Sequence, residues 1–317
     1  HEYSPFSRDW MELGYRKNSD VTAGRLTNIN TPESFRELSD SKYLPFLKEF
    51  LQIAGYTYSE YTPGGPPEVE YIRHSTYDIN DGRQSIGSLG TLSFIQEGMN
   101  GKDSIDNIKR RANSQMVAMQ AYLTWMCDNA QKIKPMVESE REKISTGYPE
   151  MVAIQMEHRS DGRVLEMPVL SLKSGKDTVI KVKNYRPVVA SLFDVKKPLG
   201  YLIPIERKDL IDWAERHDLL ITKFTPSPEN KIEEYTITAI DSIDFEGDIV
   251  INPSYTVSAV NPGDLKGEYR FIPTKQLAGD MIVQALEPKS IIGLATYKKF
   301  ENLVNKGEKY PVLRLIY

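Results

Sequence analysis

The chain has 317 residues, of which 40% are hydrophobic and 26% are charged, a composition that excludes wholesale disorder. At roughly 100–200 residues per domain, this length predicts two domains. The 40 basic and 44 acidic residues give a net charge of −4, which argues against broad electrostatic binding to nucleic acid. The single cysteine, Cys127, excludes an intrachain disulfide and a cysteine-based zinc site, and no apolar run is long enough for a transmembrane helix.

In the first hundred residues, stretches with little hydrophobic periodicity alternate with stretches that predict a helix, turns or a strand. Residues 1–30 show little hydrophobic periodicity and are predicted as loop. A helix is predicted from about Ser41, because apolar residues recur at helical spacing until Gly55, which is typical of a helix end. Turn signals follow at residues 63–67 and 80–82. Residues 89–96 then predict a short, mostly apolar strand that is buried on both faces, as in a parallel sheet.

A long amphipathic helix is predicted next, over residues 105–133. Pro135 is expected to kink or end it, and further helical turns run to about Ile144. The apolar residues recur in steps of three and four, so they form one stripe, and the methionines in it are predicted to fill the core. The stripe consists of Ile105, Ile108, Ala112, Met116, Met119, Leu123, Met126, Ala130 and Ile133.

The pattern changes near residue 148, where we predict a domain boundary that separates residues 1–148 from residues 149–317. Short strand-like runs follow at 151–156, 164–172, 178–182, 188–193 and 201–205, each bounded by turn-forming residues. One helix is predicted at 207–217, and more strands at 235–243, 269–273 and 281–286. The second domain is therefore expected to be β-rich and sandwich-like.

Histidines are the first candidates for chemistry, and the chain has four. None belongs to an HExxH zinc motif. His158 is expected in a solvated hairpin beside Asp161, and His217 at a helix end, where it suits the helix dipole. His74 could approach a site, although a surface or core role is favoured.

Glu97 is a stronger candidate, because it ends the apolar run of residues 91–96. Ligand sites in open α/β sheets lie beyond the carboxyl ends of strands. A carboxylate partly removed from water there has a raised pKa, which suits a general base. A strand-end glutamate that reaches solvent or forms a salt bridge is the alternative.

Several stretches together resemble the zinc carboxypeptidases related to carboxypeptidase A. Residues 1–6 (HEYSPF) resemble the segment with the third zinc ligand, and residues 93–98 (SFIQEG) resemble the strand that delivers the catalytic glutamate. Residues 80–83 (NDGR) are similar to the segment that precedes that strand in bacterial members. Residues 286–290 (LEPKS) and 310–315 (YPVLRL) resemble the β-rich appendage of large bacterial members.

The resemblance implies a fold and a set of roles. Residues 1–148 would be the C-terminal half of a mixed-sheet α/β catalytic domain, and residues 149–317 a β-rich accessory domain. His1 would be a zinc ligand, and Glu97 would take a proton from a zinc-bound water and return it to the leaving amine. Tyr77, or second Tyr71, would be the mobile tyrosine that contacts the substrate, and Arg83 is a further candidate for substrate binding.

The resemblance also implies parts that the sequence lacks. Two further zinc ligands, a His and a Glu spaced HxxE, are expected upstream of His1, and the printed sequence contains no such pair. The leading hypothesis is a zinc-dependent peptidase that hydrolyses a peptide or a related amide, secreted or periplasmic as family members are. The alternatives are a non-catalytic module on an inactivated fold that binds peptide or glycan, and an amidase acting on cell-wall peptides.

Overall fold

The computed structural model describes residues 2–66 and 71–316, which form two compact units. Unit 1 contains the chain up to residue 87 together with residues 91–138 and 158–190. Unit 2 contains residues 88–90, 139–157 and 191–317. The units are interleaved along the chain, because residues 158–190 return to unit 1. The predicted domains, 1–148 and 149–317, have different limits and stay a prediction.

Unit 1 is built from short strands and helices. Its elements, in chain order, are β1 (Glu2–Tyr3), α1 (Arg8–Glu12), β2 (Tyr15–Lys17), β3 (Val21–Gly24), α2 (Glu33–Leu38), α3 (Leu44–Ile53), β4 (Tyr58–Glu60), β5 (Ile72–Arg73), α4 (Gly82–Ser88), β6 (Ile95–Met99), α5 (Ile108–Ser145), β7 (Met151–Arg159), β8 (Leu165–Ser171), β9 (Lys176–Val182), β10 (Tyr185–Arg186) and β11 (Val188–Lys196). The last part of α5 and parts of β7 and β11 belong to unit 2. The loop predicted for residues 1–30 is wrong, because strands this short show no periodicity.

A four-stranded sheet in the order β1-β6-β3-β4 positions the residues near Glu97. β6 pairs in parallel with β1, where Gly98 lies opposite Glu2, and antiparallel with β3, where Glu97 lies opposite Thr22. The strand predicted at 89–96 therefore starts later, at Ile95, and belongs to a mixed sheet rather than a parallel one. Helix α4 precedes this strand in the chain. Asp81 caps the helix, because its Oδ1 accepts hydrogen bonds from two backbone N–H groups.

A second sheet, in the order β2-β8-β9, forms another part of unit 1. Its strands are antiparallel, and Lys17 at the end of β2 pairs with Val169 of β8. A small core that contains Trp10, Met167 and Val169 packs beside it. Separate short strands, β5 and β10, pair in parallel.

In helix α5 the buried side differs from the predicted apolar stripe. The helix continues through Pro135 to Ser145, so the proline does not end it. Ala118, Ala121 and Trp125 face the core, whereas Met116, Met119 and Leu123 are 55%, 52% and 55% exposed. The prediction that these methionines fill the core is wrong. The small alanines allow close packing on one side of the helix, and periodicity alone does not show which flank of a broad apolar stripe meets the sheet.

Unit 2 is rich in β-structure. Its further elements are β12 (Gly200–Pro204), α6 (Lys208–Arg216), β13 (Thr222–Lys223), β14 (Ile232–Phe245), β15 (Asp248–Val260), β16 (Tyr269–Pro273), α7 (Gly279–Leu286) and β17 (Leu313–Leu315). A six-stranded sheet has the order β13-β16-β12-β17-β14-β15. Residues 281–286 were predicted as a strand and form part of α7, because a short apolar run fits a buried helix equally well.

The chain thus has a mixed α/β fold with several sheets, mostly antiparallel, and a β-rich part. In unit 2 the main core joins residues of the sheet, such as Tyr201 and Ile203, to Trp213 of α6 and Ile282 of α7. Among the helices of the described ranges, none is both long and apolar enough to cross a membrane, as predicted.

Candidate functional site

Glu97 lies in unit 1 at the wall of a pocket of about 190 Å³. Glu97 is the middle residue of β6, so the predicted position at the end of a strand is wrong, because the strand starts and ends later than the apolar run. Only 3% of the residue is exposed. Residues from the sheets β1-β6-β3-β4 and β2-β8-β9 surround the same space. The lining residues are Tyr3, Ser4, Lys17, Ser19, Thr22, Ser59, Tyr61, Thr62, Pro63, Glu97, Met167 and Pro168.

The electrostatics of the pocket raise the pKa of Glu97. Burial raises the pKa of its carboxyl group, because water no longer solvates the charged form. The positive charges of Arg83 and Lys17 act in the opposite direction, and the pKa remains above its usual value. A carboxylate whose pKa is moved toward neutrality is better matched to proton transfer than an ordinary surface glutamate.

Lys17 brings a positive charge to the wall of the pocket. Its Nζ donates a hydrogen bond to the carbonyl oxygen of Thr62 at 2.8 Å, and it lies 5.5 Å from the centre of the Trp10 ring. Burial lowers the pKa of Lys17 to about 8, although the charge of Glu97 opposes that shift. The pocket therefore holds one acidic and one basic group, both displaced from their usual pKa values.

Hydroxyl groups complete the polar lining. The Tyr3 hydroxyl donates to the Ser19 carbonyl at 2.5 Å and accepts from the Ser19 N–H at 2.9 Å, so it fixes β1 against the start of β3. The Thr22 hydroxyl is buried and has no hydrogen-bond partner among the described residues. Thr22 lies opposite Glu97 in the sheet register, which places an unused donor next to the carboxylate.

Arg83, predicted to bind substrate, is buried and is not among the residues that line the pocket. Its Nη2 lies 3.2 Å from Asp81, and its guanidinium group stacks over the ring of Tyr61 at 5.6 Å. Tyr61 in turn lines the pocket. Arg83 is thus placed to act on Glu97 through its charge and on the pocket through Tyr61.

The two tyrosines predicted to contact substrate lie elsewhere in unit 1. Tyr77 is buried, with its ring 5.1 Å from that of His158, and its carbonyl accepts a hydrogen bond from Asn28 at 2.8 Å. Tyr71 is partly exposed and stacks under the guanidinium group of Arg186 at 4.0 Å. Neither side chain is part of the pocket lining, and their proposed roles stay predictions.

The other three histidines, His74, His158 and His217, lie outside the pocket lining. His74 is buried, with Nδ1 2.8 Å from Glu60 and Nε2 accepting the Arg25 N–H at 3.3 Å, so it is a satisfied core residue. The predicted solvated position of His158 is wrong, because the residue is only 3% exposed. His217 ends α6 as predicted, with Nδ1 2.8 Å from the Trp213 carbonyl.

The predicted zinc ligand, His1, lies outside the described residues. Within the ranges 2–66 and 71–316, no group of three or more His, Cys, Asp or Glu side chains could hold a metal ion. A protein zinc site needs three or four such ligands. The described donors therefore do not fit a complete zinc site by themselves.

Sequence reasoning found Glu97 but missed most of its surroundings. Tyr3 stands in the segment that carries the family resemblance, yet no role was predicted for it. Lys17 and Thr22 lie in a stretch interpreted as loop, and an isolated lysine or threonine carries no motif. Only the strand pairing and the second sheet bring these residues to one pocket.

We compared the chain with protein-family models, with curated protein sequences and with solved structures. None of the three comparisons found a match.

Proposed function

We propose that the chain carries the general base and part of the substrate pocket of a carboxypeptidase-like hydrolase. One observation supports this most strongly: Glu97 lines a pocket on β6 beside β1, the strand that directly follows His1 in the sequence. The family resemblance assigns the catalytic base and a zinc ligand to these two segments. Their pairing in one sheet agrees with that assignment.

In the proposed reaction, a water molecule attacks the carbonyl carbon of a peptide or a related amide. Glu97 accepts a proton from that water and returns it to the leaving nitrogen, so the products are a carboxylic acid and an amine. Burial of Glu97 holds its pKa above the usual value, which makes the carboxylate a stronger base toward that water. Tyr3 and Tyr61 line the same pocket as the base.

A zinc ion in such an enzyme would supply an activated water at neutral pH. His1 is the residue of this chain proposed to bind it. Within the ranges 2–66 and 71–316 no group of side chains forms a complete metal site, so no further ligand is assigned among these residues. The roles proposed for Glu97 and its neighbours are proton transfer and shaping of the pocket.

The test compares Glu97→Gln with wild type in the protein as its organism produces it. N-acylated dipeptides are the substrates, and release of the terminal amino acid is measured. We expect kcat to fall about 10²–10⁴-fold, because general acid–base catalysis contributes that much. Glu138→Gln, an exposed position on α5, is the matched control and should retain full activity.

Two results would contradict the proposal. Full activity of Glu97→Gln would show that another group is the base. A wild-type protein that binds the dipeptides but releases no product would instead favour the non-catalytic peptide-binding module.

A further inference from the structure

Strand β15 forms one edge of the six-stranded sheet of unit 2, and its 13 residues make it a long edge. Within the described ranges it pairs on one side only, with β14. The strand at the opposite edge, β13, has just two residues. An edge strand presents a row of backbone N–H and C=O groups to which another strand can pair. The outer side of β15 is therefore a candidate interaction surface.

Hydrogen bonds on the far side of β14 show which residues of β15 direct their backbone outward. The Tyr235 carbonyl accepts from the Tyr310 N–H at 2.8 Å, and the Ile237 N–H donates to the Glu308 carbonyl at 2.9 Å. Both residues of β14 thus point away from β15, and in an antiparallel pair the residues opposite them also point away. This register and the alternation of the strand identify three outward residues: Tyr255, Val257 and Ala259.

These three residues leave their outward backbone groups unpaired in the part of the chain that the structure describes. Edge strands are usually protected by charged side chains, by proline or by a covering segment. Residues 249–260 contain no charged residue. Pro253 protects only the position before this segment, where its carbonyl accepts a hydrogen bond from Lys289 Nζ at 3.2 Å. Residues 254–260 therefore form an edge without the usual protection.

A second copy of the same edge satisfies all the outward groups at once. In an antiparallel pair about a two-fold axis, Val257 meets Val257 of the second copy, and Tyr255 meets Ala259. Each of these pairs exchanges two N–H···O=C bonds. A shift of the register by two residues places an outward residue opposite Pro253, which has no N–H, or opposite Asn261, which lies beyond the strand. One register thus uses every outward group.

The side chains agree with this register. Val257 is 50% exposed and lies against Val257 of the second copy, a favourable pair of β-branched residues. On the other face Thr256 lies opposite Ser258 of the second copy, and such hydroxyl pairs form hydrogen bonds across strands. The Ser258 hydroxyl donates to Glu234 at 3.3 Å and keeps its lone pairs as acceptors. Because the segment is uncharged, the two copies meet without repulsion between like charges.

We propose that residues 254–260 of β15 are the interface of a homodimer, in which two six-stranded sheets join edge to edge. The proposal is independent of the proposed hydrolase, because these residues belong to unit 2 and Glu97 belongs to unit 1. Seven paired residues extend over only about 24 Å, which buries less than the roughly 1,200–2,000 Å² of a stable interface. The dimer is therefore reversible, with a dissociation constant at or above the micromolar range.

Sedimentation equilibrium of the full protein, from about 1 to about 500 μM, tests the association. We expect the average mass of wild type to rise from monomer toward dimer over this range. Val257→Lys places two ammonium groups opposite each other at the axis and should raise the dissociation constant at least about tenfold. The matched control is Ile249→Lys, because Ile249 is 70% exposed on the same strand but lies outside residues 254–260. It should dimerise like wild type.

A charge swap tests the register. Val257→Glu alone should also weaken the dimer, for the same reason as Val257→Lys. An equimolar mixture of the two variants should restore dimerisation, because only a register with Val257 at the axis brings the ammonium group next to the carboxylate. Restoration also shows that both variants are folded.

Three results would overturn the proposal. Wild type that stays monomeric up to about 500 μM would remove the dimer at the concentrations this interface requires. A dimer that Val257→Lys and Ile249→Lys weaken equally, or that neither weakens, would place the interface elsewhere. Two dissociated variants whose mixture stays monomeric would refute the register about Val257.

Discussion

Each unit of the molecule buries a glutamate, and the surroundings of the two differ. Glu97 in unit 1 is 3% exposed and Glu287 in unit 2 is 1% exposed, and burial raises the pKa of both. The hydroxyls of Tyr201 and Tyr235 each donate a hydrogen bond to Glu287 at 2.7 Å, and Arg314 forms an ion pair with it at 3.2 Å. Glu97 instead lines a pocket that contains a lysine.

The comparison shows that a buried carboxylate with a raised pKa does not by itself mark a reactive site. At Glu287 the surrounding donors occupy both carboxylate oxygens, so the group joins β12, β14 and β17. At Glu97 a cavity of about 190 Å³ lies beside the residue. Access and the neighbouring donors, rather than pKa, separate the proposed catalytic group from the structural one.

The largest effect on stability is expected at Glu287. Glu287→Gln removes the charge that Arg314 faces, and breaking a buried ion pair costs about 3–5 kcal/mol. Since Arg314 keeps a second contact with Glu233 at 3.0 Å, we expect the lower end, about 3 kcal/mol. Chemical denaturation measures the loss. Glu229→Gln, which is exposed in the same unit, should stay within about 0.5 kcal/mol of wild type, and an equally small effect at Glu287 would refute the structural role.

A smaller effect on the free energy of unfolding is expected from Lys17, and it depends on pH. Its pKa falls from 10.5 to about 8 on folding, so the unfolded chain binds more protons between these values. The free energy of unfolding should therefore rise with pH across that window, by at most about 3 kcal/mol at 1.36 kcal/mol per pKa unit. Denaturation at several pH values, with Lys17→Met for comparison, measures this. A rise of the same size in the variant would assign it to other groups.

The smallest effect is expected on the outer face of α5. Met119→Ser should change the free energy of unfolding by less than about 0.5 kcal/mol, because the side chain is half exposed in this structure. Ala118→Ser, one residue earlier, places a hydroxyl in the core and should cost about 1–3 kcal/mol. The two variants are compared by chemical denaturation. A large loss at Met119 would show that this face is covered by something in solution.

Several elements were predictable because their signals are local. The strands of residues 151–205 and the helix before His217 follow from alternation and helical spacing, and the structure confirms them within a few residues. The length of α5 also follows from helical spacing. Which side of α5 packs against the core does not. Strand β3, with its buried residues Val21 and Ala23, could not be found, because four residues give too little periodicity and its neighbours β4 and β6 are distant in the sequence.

By itself, the sequence determined the α/β composition, the β-rich second half and the choice of Glu97 as a carboxylate at the end of an apolar run. These depend on local patterns and on the residue types themselves. The tertiary structure decided that Glu97 lies beside a pocket with Lys17, because that depends on strands paired across the chain. It also placed Lys17 and Thr22 beside Glu97 and left Met116 and Met119 of α5 exposed. Neither result follows from periodicity, which describes one element, whereas a site is formed where several elements meet.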